Sequence, residues 1–508
     1  MVAGAGFSIG RAALRLALFS FGLSLCASQS DDSARESHLA KELMAAGKYQ
    51  QAIPIYRKLV QEAPGNTGLL LDLALAEHMA GNEREAIPHF EAVLKIQPNL
   101  LPALVSLGAA RIAVNDPLGA IAPLQKAVAA DPNNVDTRGL LAGALLAAGR
   151  ADQAAEQYRR LSSQTPDDPR AWYGLGNAYQ ALSRSAFDRL QKLDPTSPYV
   201  AALVADTRVQ RRQYRSAFFF YREALKQLPD LHGVHAAVAE VYRKTGHPDW
   251  AAAEDSAEAA LAPPDCARHA PECQFLAGKD VPLTMLPRTK PASAEALFWQ
   301  AKAANELALQ SFFRLGQLPN SVELHRLKAE IARDQGQYVD SVREWRAALE
   351  LSPRNPRLEH ELVVSLFMAG DYQNALDGAS VLLKSDPRSA ELNFLAGDSL
   401  LRLERPEEAV PFLKTSLQLD PAMLAAHASL GLALSRSDKN AEAIPHLEKA
   451  LELDDDGSLH YQLARAYQSA GDSAKARTAM AQYQEILKKN QEQKEEVARE
   501  AQIGPPHR

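Results

Sequence analysis

Aromatic side chains are scarce in this chain, at 6% of its 508 residues, and there are only three cysteines. So few rings exclude a core assembled around large aromatics. The 46% apolar fraction must pack through Ala and Leu, side chains that let helices approach closely. Three cysteines exclude a disulfide-dense scaffold. Charge of either sign is not in excess: 56 basic and 62 acidic residues leave a net of -6, which gives no reason to expect nucleic acid as a partner. Beyond the first residues, no apolar run reaches the ~18 positions that a membrane helix needs. Catalytic signatures are missing as well. No phosphate loop, HExxH or GxSxG pattern occurs, and "GLGN" at 174–177 reads as two glycines placed for helix packing. No stretch is left over for a separate catalytic domain, so we expect neither an enzyme nor a cofactor.

What the chain has is a period. Residues 67–100, "TGLLLDLALAEHMAGNEREAIPHFEAVLKIQPNL", carry Leu70, Leu73, Ala74 and Glu77 at helical spacing, then Ala86, Phe90 and Val93 on a second helical stretch. Gly81 ends the first helix, because glycine accepts a left-handed C-cap, and Pro98 ends the second, because proline cannot continue a helix. One such hairpin cannot bury its own apolar stripes and needs a neighbour of the same shape. The neighbours are written in the prolines. Pro64, Pro98, Pro132 and Pro166 lie 34 residues apart, as do Pro195, Pro229 and Pro263, and Pro319, Pro353, Pro387 and Pro421.

A 34-residue helix-turn-helix period with small residues at Ala74, Gly108, Ala142, Gly176, Gly397, Gly431 and Ala464 resembles the tetratricopeptide repeat family. Its second-helix mark, an Ala four residues before a bulky side chain, recurs at Ala52 and Tyr56, Ala86 and Phe90, Ala154 and Tyr158, and Ala217 and Tyr221. The resemblance covers about residues 33–490. It implies an all-α fold, a right-handed superhelical solenoid of hairpins, and a scaffold that binds proteins or peptide segments.

Residues 1–28 stand apart. Arg11 and Arg15 precede an apolar run from Leu16 to Leu25 of the length of a signal-peptide core, with small residues at its end at Ser24, Cys26, Ala27 and Ser28. We read an export signal here, and with it a periplasmic or envelope-associated location and peripheral association with the envelope. A lipidated Cys26 and an uncleaved anchor are the alternatives; the large Leu25 before Cys26 argues against lipidation. Residues 29–168 form a regular N-terminal array, with turn residues Gly47, Gly81, Asn115 and Gly149. Residues 169–265 hold a shortened unit and two regular ones. Residues 293–490 hold a second shortened unit and the C-terminal array, and 491–508 extend a capping helix. Both shortened units lack a turn glycine, and they match each other at Phe187, Arg189, Leu190, Leu193 and Phe312, Arg314, Leu315, Leu318. We expect each to be a shortened hairpin.

The insertion at 266–292 has Pro271, Pro282, Pro287 and Pro291, which exclude a long helix. Its Cys266 and Cys273 are expected to pair as a structural disulfide in an exported protein. His269 between them invites a metal reading, but C-x2-H-x3-C matches no structural zinc pattern, so we expect no metal.

The remaining candidate sites are surfaces. The family resemblance implies that ligands contact first-helix positions lining the concave groove. In the N-terminal array these include Leu71, Leu75, His78, Met79, Val105, Ala109, Ile112 and Leu146, an apolar set. In the C-terminal array they include Arg326, Glu330, Arg333, Phe367, Phe394 and Arg402, a charged and aromatic set. A contiguous apolar face usually marks an interaction site, so the first set is expected to hold an apolar or amphipathic peptide segment or helix. The alternative is a face that packs against the chain itself, or a solenoid that oligomerises with copies of itself. Relatives that clamp a C-terminal carboxylate need a cation where Tyr173 stands and a second Asn where Leu203 stands, which argues against that mode.

Overall fold

The structure is a computed structural model and describes residues 31–284, 293–500 and 502–506. The expected export signal at 1–28 lies outside the described residues, as does the end of the insertion, 285–292. Among the described residues there are 26 α-helices and no strand. None of these helices is long and apolar enough to cross a membrane.

The first eight helices form four hairpins: α1 (Asp31–Ala45) with α2 (Tyr49–Glu62), α3 (Thr67–Met79) with α4 (Glu83–Ile96), α5 (Leu101–Ala113) with α6 (Pro117–Ala130), and α7 (Val135–Ala147) with α8 (Ala151–Gln164). The turn residues behave as their chemistry requires. Gly47, Gly81 and Gly149 adopt φ of 70°, 83° and 73°, and Asn115, the non-glycine residue that best tolerates this region, adopts 62°. The turn after α3 closes with Gly81 N–H donating to the His78 carbonyl and Asn82 N–H to that of Glu77, which satisfies carbonyls the helix end would otherwise orphan. Within a hairpin the small residue of the first helix lets the second approach. A Cβ on Gly108 would lie 2.4 Å from Leu124 Cγ, sixteen residues on; Gly397 and Gly431 face Leu413 and Leu447 in the same way.

The two expected short hairpins do not exist. Residues 169–193 are one unbroken helix, α9 (Pro169–Leu193), and so is α16 (Ala294–Gly316). With no glycine or proline between Tyr179 and Ala186, nothing in the sequence asks the chain to turn, and it continues as helix. The two long helices pair with each other, antiparallel. Arg314 reaches Asp167 at 3.6 Å near one end, and Ser183 Oγ donates to the Ala301 carbonyl at 3.0 Å further along. Gly176, at the hairpin-glycine position, faces not a residue sixteen positions on but Phe312 of α16, whose Cε1 a Cβ would meet at 2.2 Å. The hairpin that α9 does not make alone is completed by a helix over a hundred residues later.

That pairing divides the chain differently from a linear reading. One compact unit holds α1–α9 with the helices of residues 264–318; the other holds residues 194–263 and the chain from Pro319 on. The block 169–265 is therefore split, as α9 belongs to the first unit and the four helices after it to the second. In the first unit, α14 (Ala270–Leu276) and α15 (Asp280–Thr284), short as the insertion's prolines demand, pack on α16.

The second unit contains the hairpins α10 (Pro198–Gln210) with α11 (Tyr214–Gln227) and α12 (Val234–Lys244) with α13 (Pro248–Ala259). It also contains α17 (Val322–Asp334) with α18 (Tyr338–Leu351), α19 (Pro356–Met368) with α20 (Tyr372–Ser385), α21 (Ala390–Arg402) with α22 (Pro406–Leu419), α23 (Leu424–Arg436) with α24 (Asn440–Ala450), and α25 (Ser458–Ser469) with α26 (Ser473–Glu500). Where Asp455 replaces the periodic proline, the neighbouring Asp454 carboxylate takes over the capping. It accepts from the backbone N–H groups of Leu459 and His460 at 2.9 and 2.8 Å. The start of the last helix lies against the array and its later part does not. Met480 packs on the core and Tyr483 lies 5.5 Å from Tyr461, but Leu487 stays 44% exposed.

Candidate functional site

Successive first helices lie side by side, α3 against α5, α5 against α7 and α7 against α9, so the apolar positions of the N-terminal array share one face. That face is not uniformly open. Every residue of α7 from Thr137 to Leu146 is buried, and Leu146 is 1% exposed. Ala109 and Leu146 belong to one core cluster with Ala304 and Ala308 of α16, and Leu307 packs against it. The Ala-rich stretch of α16 thus joins the core at the α7 end. What stays accessible is the earlier part. Leu71, Leu75 and Met79 on α3, and Val105 and Ile112 on α5, are half-buried. Beside them His78 is engaged with Glu83 at 2.6 Å and edge-on to Phe90.

Polar groups beneath this strip are accounted for. Glu77, fully buried, meets Arg57 at 3.0 Å and His89 at 2.7 Å. Burial pushes the Asp72 carboxyl up to about 6, with Lys41 pulling the other way, and the same burial raises the neighbouring Tyr56 phenol. On the other side of the hairpins a cleft of about 530 Å³ runs past Leu141, Leu145, Arg138, Glu156 and Arg160. Burial, then Arg160, lowers the Arg138 guanidinium from its ordinary range.

In the C-terminal array, Arg326, Glu330, Arg333, Phe367 and Phe394 are half-buried and Arg402 is exposed. These charges mostly pair among themselves. Arg333 bonds Glu361 at 2.6 Å, His360 sits 3.4 Å from Glu391, and Arg402 approaches the buried Asp398 at 3.3 Å. The hydrogen bond to Glu391 raises the His360 imidazole and lowers the Glu391 carboxyl. Phe367 lies 5.7 Å from Tyr372 and 6.4 Å from Phe394, a small aromatic group on an otherwise neutralised face.

The insertion carries a Cys266–Cys273 disulfide, Cα to Cα 5.7 Å. Ligand atoms of His269, Glu272 and Glu295 lie within 4.8 Å of one another, and His269 bonds Glu295 at 3.2 Å. Sequence reasoning considered His269 with the cysteines and missed both glutamates, one of which lies across the insertion on α16.

Three tetratricopeptide-repeat models match the chain, at residues 43–111 and 111–178, at 326–379 and 361–423, and at 424–456, together just over half of it. This chain belongs to the tetratricopeptide repeat family. Arrays of this family are protein-interaction scaffolds. Among curated proteins, the repeat array is similar to the Protein CTR9 homolog of Arabidopsis thaliana, 22% identical over 37% of this chain and 17% of that protein. It is also similar to Anaphase-promoting complex subunit 7 of the same plant, 24% identical over 40% of this chain and 43% of that protein. The array thus spans less than half the length of either relative. Similar solved structures include MamA from Desulfovibrio magneticus RS-1, at 23% identity with a TM-score of 0.31 over 34% of this chain and 96% of that one. TTC0263 from Thermus thermophilus is a second, at 20% identity with a TM-score of 0.28 over 35% of this chain and 98% of that one.

Proposed function

We propose that this tetratricopeptide array is an exported scaffold of the cell envelope that holds a peptide or helical segment of a partner protein along the α3–α5 strip. The observation that carries this reading is the strip itself. Leu71, Leu75, Met79, Val105 and Ile112 share one face of two adjacent first helices and stay half-exposed, while on α7 the corresponding Gly139, Gly143 and Leu146 are buried. An amphipathic helix presenting apolar residues at i, i+3, i+4 and i+7 is the partner such a face fits. The mutually paired charges of the C-terminal face suit selection among partners better than tight holding, since exposed ion pairs contribute little net free energy. Export is supported by the Arg11–Arg15 and Leu16–Leu25 pattern, and a disulfide in the insertion suits an oxidising compartment.

The test is a Leu75→Glu/Val105→Glu variant expressed in the native host. Co-fractionation with partner proteins should be lost while far-UV circular dichroism stays unchanged. Retention of every partner by the folded variant would exclude the strip. Sedimentation at several concentrations separates the self-assembling alternative, whose mass must rise with protomer concentration.

A further inference from the structure

A segment after the last helix folds back onto the array. Residues 502–506, "QIGPP", follow α26 as an irregular segment in which Ile503, Gly504 and Pro506 are half-buried. The Gly504 carbonyl accepts a 2.7 Å hydrogen bond from the hydroxyl of Tyr242 on α12, 262 residues away in sequence. Tyr242 is 1% exposed. A buried phenol needs an acceptor, and other array tyrosines find one on the helix next to their own: Tyr221 on Asp206 and Tyr467 on Glu448. Tyr242 takes it from the chain's tail.

The surroundings of that phenol are aromatic. Tyr242 packs against Phe218 at 5.4 Å and Trp250 at 5.6 Å, and His247 stacks on Trp250 at 4.2 Å. It also belongs to a hairpin whose outer helix is poorly covered. Ala251 is the buried residue of α13, whereas α11 buries Ala217, Phe218, Tyr221 and Ala224. The tail's chemistry suits such a surface. Pro505 and Pro506 fix φ and hold the residue before them extended, so little entropy is lost on docking, and a preformed proline segment on an aromatic surface is a recurrent recognition mode.

We propose that the Tyr242–Trp250 surface is a binding site for an extended Ile-Gly-Pro-Pro-type peptide, occupied intramolecularly by the chain's own C-terminal segment, which thereby competes with any partner carrying that chemistry. The site lies on α12 and α13 and does not depend on the α3–α5 strip. Tethering makes the tail a strong competitor, since a linked segment acts at an effective concentration of order mM.

The experiment uses the full chain and a fluorescein-labelled synthetic peptide of residues 501–508, AQIGPPHR. An Ile503→Asp/Pro506→Asp variant frees the site while keeping the chain length. By anisotropy, the peptide should bind this variant at least tenfold more tightly than the native chain. Adding Tyr242→Phe, which deletes the hydroxyl and little volume, should weaken that binding about fivefold, the loss expected for one neutral hydrogen bond. Equal binding to native and tail-freed chains, or no binding to a tail-freed chain of native helicity, would overturn the proposal. So would an unchanged affinity on adding Tyr242→Phe. A native chain whose mass rises with concentration and returns to monomer in the tail-freed variant would overturn the intramolecular arrangement in favour of tails exchanged between copies.

Discussion

Replacing Gly176 by Ala tests whether α9 and α16 pair as described, because these helices are far apart in sequence and the contact between them is close. The new Cβ would lie 2.2 Å from Phe312 Cε1 and 2.6 Å from Cδ1 and Cζ, so the ring must retreat by roughly 1 Å to restore ordinary contact. Overpacking costs ~1–3 kcal/mol, and an overlap this deep belongs at ~2–3 kcal/mol of that range; Ala regains ~1 kcal/mol over Gly in a helix interior. The expected net loss is about 1–2 kcal/mol. Phe312→Ala alone should cost ~2 kcal/mol, below the range for a fully buried ring because Phe312 is half-buried. In that background the clash is gone, and Gly176→Ala should stabilise by ~1 kcal/mol. The double-mutant cycle therefore predicts a coupling of ~2–3 kcal/mol. A repeat array of this length does not unfold as one two-state unit, so the assay is hydrogen exchange resolved by peptide across α9 and α16. Gly176→Ala should speed exchange ~5–30-fold in both helices together. Single-mutant effects that add within ~0.5 kcal/mol, or faster exchange in α9 alone, would refute the pairing.

Other expectations follow from groups held away from their ordinary titration. His446 contacts the buried His427 Nδ1 to Nδ1 at 2.8 Å, and burial, then His427, then Lys449 and Lys414 lower its imidazole, with Glu442 opposing. A depressed histidine binds its proton less readily folded than unfolded. Stability of the α23–α24 hairpin should thus be full above pH ~6.5 and fall as pH drops below it, and His446→Asn should flatten that dependence in hydrogen exchange at pH 7.5 and 5.5. Asp72 has the opposite sign: its carboxyl, raised to about 6, binds a proton more readily in the folded state. Protection of α3 should therefore rise as pH falls from 7 towards 4, and Asp72→Asn should be the more protected form at pH 7 and lose that advantage near pH 4. Reducing Cys266–Cys273 should release a short loop restraint worth ~2–3 kcal/mol in the chain-entropy model. Faster exchange in α14 with α3 unchanged is the expected readout.

How far the sequence carried the fold can be seen at Pro98 and at Gly176. The proline period located the hairpins up to α23–α24, because proline and left-handed turn residues act locally: Gly81 and Asn115 turn the chain wherever they stand. The absence of such a residue between Tyr179 and Ala186 was equally local and equally visible. It signals an unbroken helix, and what it does not encode is the partner. The pairing of α9 with α16 depends on where the intervening helices bring the chain, and spacing alone cannot report that. The same limit applies to the surfaces. Register placed Leu75 and Leu146 on one kind of face, but only tertiary packing shows that Leu75 stays accessible while Leu146 is enclosed with Ala304 and Ala308. The Tyr242–Gly504 contact had no sequence signal beyond an Ile-Gly-Pro-Pro segment near the chain's end.

The most direct test of the scaffold reading is photo-crosslinking in living cells from a probe at Leu75, with a second probe at Phe394 and mass spectrometry of the products. The account predicts that Leu75 captures a defined segment of another protein, and that Leu75-centred capture disappears in the presence of Val105→Glu. Adducts at Leu75 that map only to this chain, from a protein whose helicity is intact, would contradict it.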